Sequence, residues 1–343
     1  MFHLLLFLWA MVALIIAGYY ERQINLHKTH SLTTVLGSGD MFDKIAPYYD
    51  KANTWLSLGW HHNWKDVMVR DLDVYSNDLI LDIATGTGDI AIKIARVMKE
   101  RGKLLGSKPT IVAVDPSKEM LRIAQEKINA DKKEIFHGFI TLKQGFGDAL
   151  QKVLETPDPY AAGNDEESHL FDKVCISFGI RNFRDKLQVL KEIRIVTKKN
   201  NPNGKLSILD FSTPSSTGVL KWIAPLVNLF IHYAVPMLGT VATGGQWPAY
   251  AHLRDTIYQS PSPAEFTDLM SSAGFAHCKH KDIFLGTVYL YTCSTYSPKT
   301  PPKNDKCVFG ANGECETEIE ATDRPIVAKV KSGKDMLEED FSI

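Results

Sequence analysis

The sequence predicts an α/β fold: a mostly parallel, seven-stranded sheet with helices on both faces and a helical lid. Three observations carry that prediction. From Leu79 onward, short runs rich in Val and Ile alternate with amphipathic helical patterns, as expected for parallel strands joined by right-handed crossovers. The segment LILDIATGTGDI, Leu79 to Ile90, is apolar around one acid, Asp82, and then breaks at Gly86 and Gly88. It reads as a buried strand ending in a tight turn that opens a helix. An apolar stretch at 282–293 (DIFLGTVYLYTC) reads as a hairpin that closes the sheet.

Taken in order, the chain starts with Phe2 to Gly18, almost wholly apolar and interrupted only by His3, and continues into a polar stretch from Tyr20 to Gly39. This run is slightly short for the roughly 20 residues of a spanning helix, and no basic residue precedes it as in a secretory signal. Residues 1–39 are expected to be a hydrophobic targeting or anchoring extension. Residues 41–70 are dense in aromatic and hydrogen-bonding groups, divided by Pro47 and Gly59 into short helices that form the N-terminal lid. Strands are predicted at 79–83, 110–115, 139–144, 173–178 and 205–211, and helices at 89–101, 117–130 and 184–197. Gly102–Pro109, Gln151–His169 and Lys198–Gly204 are polar and read as surface loops, the second as an insertion. Residues 216–240 are strongly apolar but carry Pro225 and Pro236. The prolines make the segment too interrupted for a membrane span, so 216–260 is expected to supply substrate-covering helices. A helix fits 263–274. After Ser297 there are seven Lys or Arg against ten Asp or Glu and few large apolar residues, a composition expected of a disordered tail at 297–343. The folded domain is thus expected to span 41–295.

A net charge of −1 supplies no global field toward nucleic acid or an anionic surface. The five cysteines are odd in number, widely spaced and lack any C-x-x-C. That spacing argues against a disulfide framework or a zinc site and fits a reducing compartment.

Strand, glycine turn and helix N-terminus together present backbone N–H groups to a ligand with no Cβ in its way. Gly86-Thr87-Gly88-Asp89-Ile90-Ala91 satisfies the dinucleotide pattern G-x-G-x-x-G/A, so a nicotinamide oxidoreductase is one reading. Asp82 and Asp89 flank the turn and would repel a pyrophosphate. The same carboxylates would attract the cationic groups of a sulfonium cofactor, S-adenosylmethionine, which is the preferred reading. Asp115, ending the second strand, suits the two hydroxyls of a ribose, and Asp148, after the third strand, an adenine amino group. For each acid taken alone a cap or turn is the commoner explanation, and it is their series at successive strand ends that favours a site.

With these residues in place, the sequence resembles the ubiquinone/menaquinone-biosynthesis C-methyltransferases, from about Met41 to Cys293. The resemblance is carried by Tyr49-Asp50-x-x-Asn53 with Ser57-x-x-x-His61-x-x-Trp64, by Ser177-Phe178-Gly179-Ile180-Arg181-Asn182, and by Arg194-Ile-Val-Thr-Lys followed by Gly204 to Ser212. Ala52 departs from the usual Met, extra residues precede Gly204, and Asp210 stands where Glu is common. The resemblance implies a Rossmann-like class I S-adenosylmethionine-dependent methyltransferase acting on a ring carbon of a polyprenylated quinol. It implies that Thr87, Asp115, Asp148, Ala149 and Ser177 line the cofactor site, beside Asp82, Gly86 and Gly88 already read from the turn, and Tyr49 and Asn182 are expected to contact the substrate.

A ring carbon becomes nucleophilic when the adjacent hydroxyl loses its proton, and a phenol has a pKa of about 10. Arg181 cannot be the base; its expected role is to stabilise the phenolate. His61, Asp50 or a water they hold would take the proton, while lid packing explains Tyr49, Asp50, Asn53 and His61 equally well. The 216–240 segment would shelter the polyprenyl tail, or simply pack the core. The long extensions and insertions look eukaryotic and favour the mitochondrial enzyme acting on 2-methoxy-6-polyprenyl-1,4-benzoquinol, on the matrix side of the inner membrane. It would associate peripherally with that membrane and with a multi-enzyme complex. Alternatives are a demethylmenaquinol or demethylphylloquinol methyltransferase in another organelle, a non-catalytic scaffold of a quinone-synthesis complex, and the oxidoreductase. Neither a metal nor a nucleic-acid partner is expected.

Overall fold

The computed structural model describes residues 39–75, 78–101, 110–130, 138–155, 170–213, 222 and 224–296, and two short strands, Val308–Phe309 and Cys315–Glu316. The N-terminal extension before Gly39, the 102–109 loop, most of the 151–169 insertion and most of the acidic tail lie outside the described residues. Pro298–Ile343 is a separate unit, in which Val308 pairs with Glu316 and Phe309 with Cys315.

Seven strands form the sheet of the larger unit: β1 (Ile80–Ile83), β2 (Ile111–Asp115), β3 (Ile140–Gln144), β4 (Lys173–Ser177), β5 (Lys205–Phe211), β6 (Ala276–Phe284) and β7 (Val288–Ser294). Their order is β3-β2-β1-β4-β5-β7-β6, with the first five parallel and β7 antiparallel to both neighbours. Chain order reverses between β1 and β4, both of which pair in parallel through Ile80. Loops leaving the carboxyl ends of these two strands diverge there, and that crevice is where open α/β sheets take ligands.

The helices are α1 (Asp40–Ile45), α2 (Tyr49–Leu56), α3 (Trp60–Leu72), α4 (Asp89–Glu100), α5 (Lys118–Asn129), α6 (Leu150–Glu155), α7 (Lys186–Val196), α8 (Ala224–Ala242), α9 (Trp247–Gln259) and α10 (Pro263–Ser272). β1 and β2 are buried along their whole length because helices cover both faces. On one face Leu81, Val112 and Ile176 pack against Val189 and Ile193 of α7 and Met270 of α10. On the other, Ile80, Ile111 and Ala113 pack against Met68 of α3 and Ile94 and Met98 of α4. Local chemistry fixes the helix starts: Ser117 accepts from Met120 N, Asp185 accepts from Gln188 N, and Ser262 with Glu265 forms a capping box. Lys173 is buried at the start of β4, where its Nζ donates to Leu72 O (2.9 Å) and to Asp73 O and lies 3.4 Å from Asp78. It satisfies the last carbonyls of α3 from the sheet below.

Two expectations are corrected here. Pro225 and Pro236 do not break the apolar segment, because Ala224–Ala242 is one 19-residue helix. Pro225 stands in its first turn, where no intrahelical N–H bond is lost, and Pro236 follows the π turn Phe230–Ala234, where the ladder is already re-registered. α8 is long and apolar enough to cross a membrane, with a mean hydropathy of 1.4, and only 28% of that window is buried in the protein. Leu226, Leu229 and Val241 are exposed on it, as is Trp222 just before it. The second correction concerns cysteine: Cys278 of β6 and Cys293 of β7 form a disulfide with Cα atoms 4.2 Å apart. A register shift between Ala276 and Lys279 brings the two side by side on adjacent strands, a proximity that a separation of 15 residues does not announce. Cysteine usage therefore gives no support to a reducing compartment. Cys175 is a buried free thiol.

Candidate active site

β1 delivers the chain into the glycine turn. Ala84 (φ 54°), Gly86 (φ 58°) and Gly88 (φ 81°) are all left-handed. Open space surrounds the position of a Cβ on Gly86, whereas one on Gly88 would stand 3.0 Å from the Ala124 Cβ. Gly86 thus leaves the approach to the turn clear, and Gly88 lets α5 close against it.

Acids surround the turn as the sequence predicts, but in unequal environments. Asp82 is fully buried, accepts from Thr85 Oγ1 at 2.6 Å and from Cys175 Sγ at 3.6 Å, and is pushed by burial up to about 7. Asp115 accepts from Gly86 N (2.8 Å) and Ser117 N (2.9 Å), and burial raises it to about 6. Each of its oxygens keeps lone-pair capacity for a hydroxyl. Asp89 departs from expectation, since its carboxylate is ion-paired with Lys65 (2.8 Å) and Lys127 (2.7 Å). Burial, the largest effect, opposes its ionisation, yet the two ammonium groups together hold it well below the carboxylate range. Its charge is answered within the protein and does not attract a sulfonium.

Asp50 is corrected in the same way. It accepts from Thr87 Oγ1 at 2.7 Å and pairs with Lys127 at 2.6 Å, so it pins α2 to the glycine turn. Thr87 Oγ1 also accepts from Lys127 Nζ at 2.9 Å. Asp50 does not line the cavity described next, which removes it as a candidate base.

A cavity of about 520 Å³ opens beside the turn, walled by the lid, the carboxyl ends of β1, β4 and β5, α8, α9 and the β6–β7 turn. Asp82, Gly86 and Thr87 line it together with Tyr49, His61, Ser177, Arg181 and Asn182. Gly88, Asp115, Asp148 and Ala149 do not; the last two lie on the 3-10 turn Gly147–Ala149 after β3. Ser177 Oγ is buried without a hydrogen-bond partner, as is Nε of Arg181.

Arg181 and Asn182 stand on a 3-10 turn, Ile180–Asn182, beyond β4. Asp210 of β5 holds that turn: Oδ1 accepts from Arg181 Nη1 at 2.6 Å and Oδ2 from its backbone N at 3.1 Å. Nη1 also donates to Phe178 O at 2.6 Å. Phe178 is left-handed (φ 55°), a strained position for a bulky residue that is held in place by an aromatic wall. Its ring lies 5.0 Å from Phe211 and 6.2 Å from Trp64, and Trp64 lies 5.1 Å from Phe284. His61 Nδ1 is 2.8 Å from Ser57 Oγ. Burial first, then Lys65 and His62, lower His61 to about 4, so it is neutral at physiological pH and only weakly basic.

Asp210 as the partner of Arg181, and Lys65 and Lys127 as partners of Asp89, went unassigned in the sequence. Asp210 carries a legible signal, because it is the next acid at a strand end after Asp82 and Asp115.

The donor set fits S-adenosylmethionine: Gly86 leaves room for close approach, Asp82 presents an acceptor at the cavity, Ser177 holds an unused hydroxyl, and Asp115 sits directly behind Gly86 N. A model of the ubiE/COQ5 methyltransferase family matches residues 32–294. The chain is 34% identical over 252 residues to the ubiquinone/menaquinone biosynthesis C-methyltransferase UbiE of Geotalea uraniireducens, covering 74% of this chain and 93% of that one. It is 33% identical to the protein of the same name in Geobacter sulfurreducens, covering 74% and 86% respectively. Among solved structures, a SAM-dependent methyltransferase of Thermotoga maritima described as a possible histamine N-methyltransferase aligns with a TM-score of 0.47 and 15% identity, over 74% of this chain and 98% of that one.

Proposed function

The chain belongs to the ubiE/COQ5 methyltransferase family, and from that premise we propose that it methylates a ring carbon of a polyprenylated quinol, 2-methoxy-6-polyprenyl-1,4-benzoquinol, in ubiquinone synthesis. It is a methyltransferase, and S-adenosylmethionine, which the donor set fits, is its methyl donor. The nicotinamide reading falls away with that assignment.

One observation carries the reading: the glycine turn and the Arg181–Asn182 turn wall a single cavity whose remaining lining is mostly apolar, including Phe211, Phe230, Ile231 and Leu253. An aromatic acceptor with a long hydrocarbon tail needs such walls. When bound, the cofactor supplies a methyl group on a positively charged sulfur. Arg181 stabilises negative charge on the acceptor's oxygen, and Asp210 fixes its orientation. His61 is a poor base: with its value near 4, taking a proton from a phenol of pKa about 10 is uphill by roughly a millionfold. Arg181 lowers the cost of forming the phenolate, and the proton is released through water to bulk solvent. The lid and the aromatic wall exclude bulk water from the reacting atoms.

The uncharged, partly exposed α8 supports peripheral association with a membrane that holds such a substrate, and we assign the protein to the matrix side of the mitochondrial inner membrane, alongside other enzymes of quinone synthesis. The test is turnover with the full-length protein on demethylated benzoquinol and naphthoquinol side by side. Preference for the benzoquinol supports the reading, preference for the naphthoquinol moves the protein to menaquinone or phylloquinone synthesis, and turnover of neither overturns it. Arg181→Ala is expected to lower kcat on the order of 100-fold with cofactor affinity unchanged.

A further inference from the structure

S-adenosylmethionine carries a carboxylate as well as its two cationic groups, and the acids at the turn cannot bind it. Asp82 lines the cavity on the cofactor side and, when ionised, repels a carboxylate, while Asp89 is already paired with Lys65 and Lys127 and accepts nothing further from an anion. A cation is needed there, and among the described residues that line the cavity the lysines and arginines are Lys65 and Arg181.

Their surroundings separate them. Arg181 is committed to Asp210 at the end of β5 and to Phe178 O. Lys65 projects from α3 of the lid to Asp89, in the first turn of the helix that the glycine turn opens. Lys127, the other cation on Asp89, is fully engaged: its three donors meet Asp50, Asp89 and Thr87, and it does not line the cavity. Lys65 is buried, and its one hydrogen bond among the described residues is to Asp89. An ammonium has three N–H donors, so two are left on a side chain that the protein has already desolvated. The pair with Asp89 holds Nζ in place, and a charge-assisted bond to a carboxylate is the strongest use of the remaining donors.

We propose that Lys65 is the counter-ion of the methionine carboxylate of the bound cofactor, with Asp89 as the residue that positions it. The lid then carries one of the cofactor's own contacts, on a helix already held to the glycine turn through Asp89. The inference concerns the cofactor alone and stands whichever ring is methylated.

The experiment is calorimetric titration of the full-length protein and of Lys65→Met and Lys65→Arg with S-adenosylmethionine and with decarboxylated S-adenosylmethionine, which differ only in the carboxylate. The wild type is expected to bind the complete cofactor about 10- to 100-fold more tightly than the decarboxylated one. Lys65→Met is expected to lose that preference while keeping its affinity for the decarboxylated compound within about twofold, and Lys65→Arg to recover most of it. Unchanged affinity for the decarboxylated compound shows that the variant is folded. A preference that survives in Lys65→Met overturns the assignment, as does an equal loss for both ligands, which would make Lys65 a structural element of the lid.

Discussion

Asp82 and Asp115 are acids held where burial disfavours their charge, near 7 and near 6 against an ordinary 3.8. Because both values are raised on folding, the folded chain binds more protons than the unfolded one between about pH 4 and 7, and these two groups lower stability as pH rises through that window. A cationic ligand reverses the preference by favouring the ionised acids. Affinity for S-adenosylmethionine is accordingly expected to rise about tenfold between pH 6 and pH 8, and Asp82→Asn to flatten the rise; calorimetry across that range checks it. His61 works in the other direction: its value is lowered on folding, so its contribution to stability is lost as pH falls from 6.5 toward 4. The placement of Asp82 and Asp115 is legible in the sequence, because an acid ending a strand before or after a glycine turn carries its position with it. The partners of the acids around the turn are not. Asp50, Asp89 and Thr87 meet Lys127 from 38 to 77 residues away in the chain, by the arithmetic of their numbers, and no local spacing encodes such a pairing.

At the scale of elements, Lys173 ties α3 to the sheet by satisfying Leu72 O and Asp73 O from a fully buried position beside Asp78. Lys173→Ala would strand two carbonyls and a carboxylate, at a cost of about 3 kcal/mol. The expected readout is a drop in Tm on the order of 10 °C, with cofactor binding retained below the transition. Strands and helices between Leu79 and Phe211 were readable because a parallel sheet demands unbroken apolar runs between amphipathic helices. A helix over the pocket is legible in 216–240, but the unbroken length of α8 is not, because proline ordinarily interrupts a helix. Its two prolines occupy a first turn and a re-registered turn, the places where a helix loses least by accepting one. The Cys278–Cys293 bond depends on a bulge in the β6–β7 ladder, and irregularities of register leave no trace in composition.

For the whole molecule, the exposed apolar surface is concentrated rather than scattered. Leu226 and Phe230 of α8, Leu58 and Trp60 of the lid and Leu285 of the β6–β7 turn are all exposed, and all line the same cavity. Soluble monomers rarely leave large side chains clustered in this way. The full-length protein is expected to float with vesicles of neutral phospholipid, and Leu226→Glu with Leu229→Glu to remain in the soluble fraction with cofactor affinity intact. Flotation of the double variant at wild-type level would exclude α8 as the contact.

The antiparallel strand β7 sets Val288 against Phe211, so the hairpin turn at 285–287 lies on the same edge of the sheet as the glycine turn. Tyr49 near one end of the domain and Thr287 near the other therefore wall one chamber. During synthesis the ribosome makes the lid first and that last wall some 240 residues later (by subtraction of these numbers), at about 5–20 residues per second. A nascent chain holding the complete glycine turn thus spends on the order of ten seconds without an enclosed chamber. The chamber is complete only once the C-terminal hairpin has emerged.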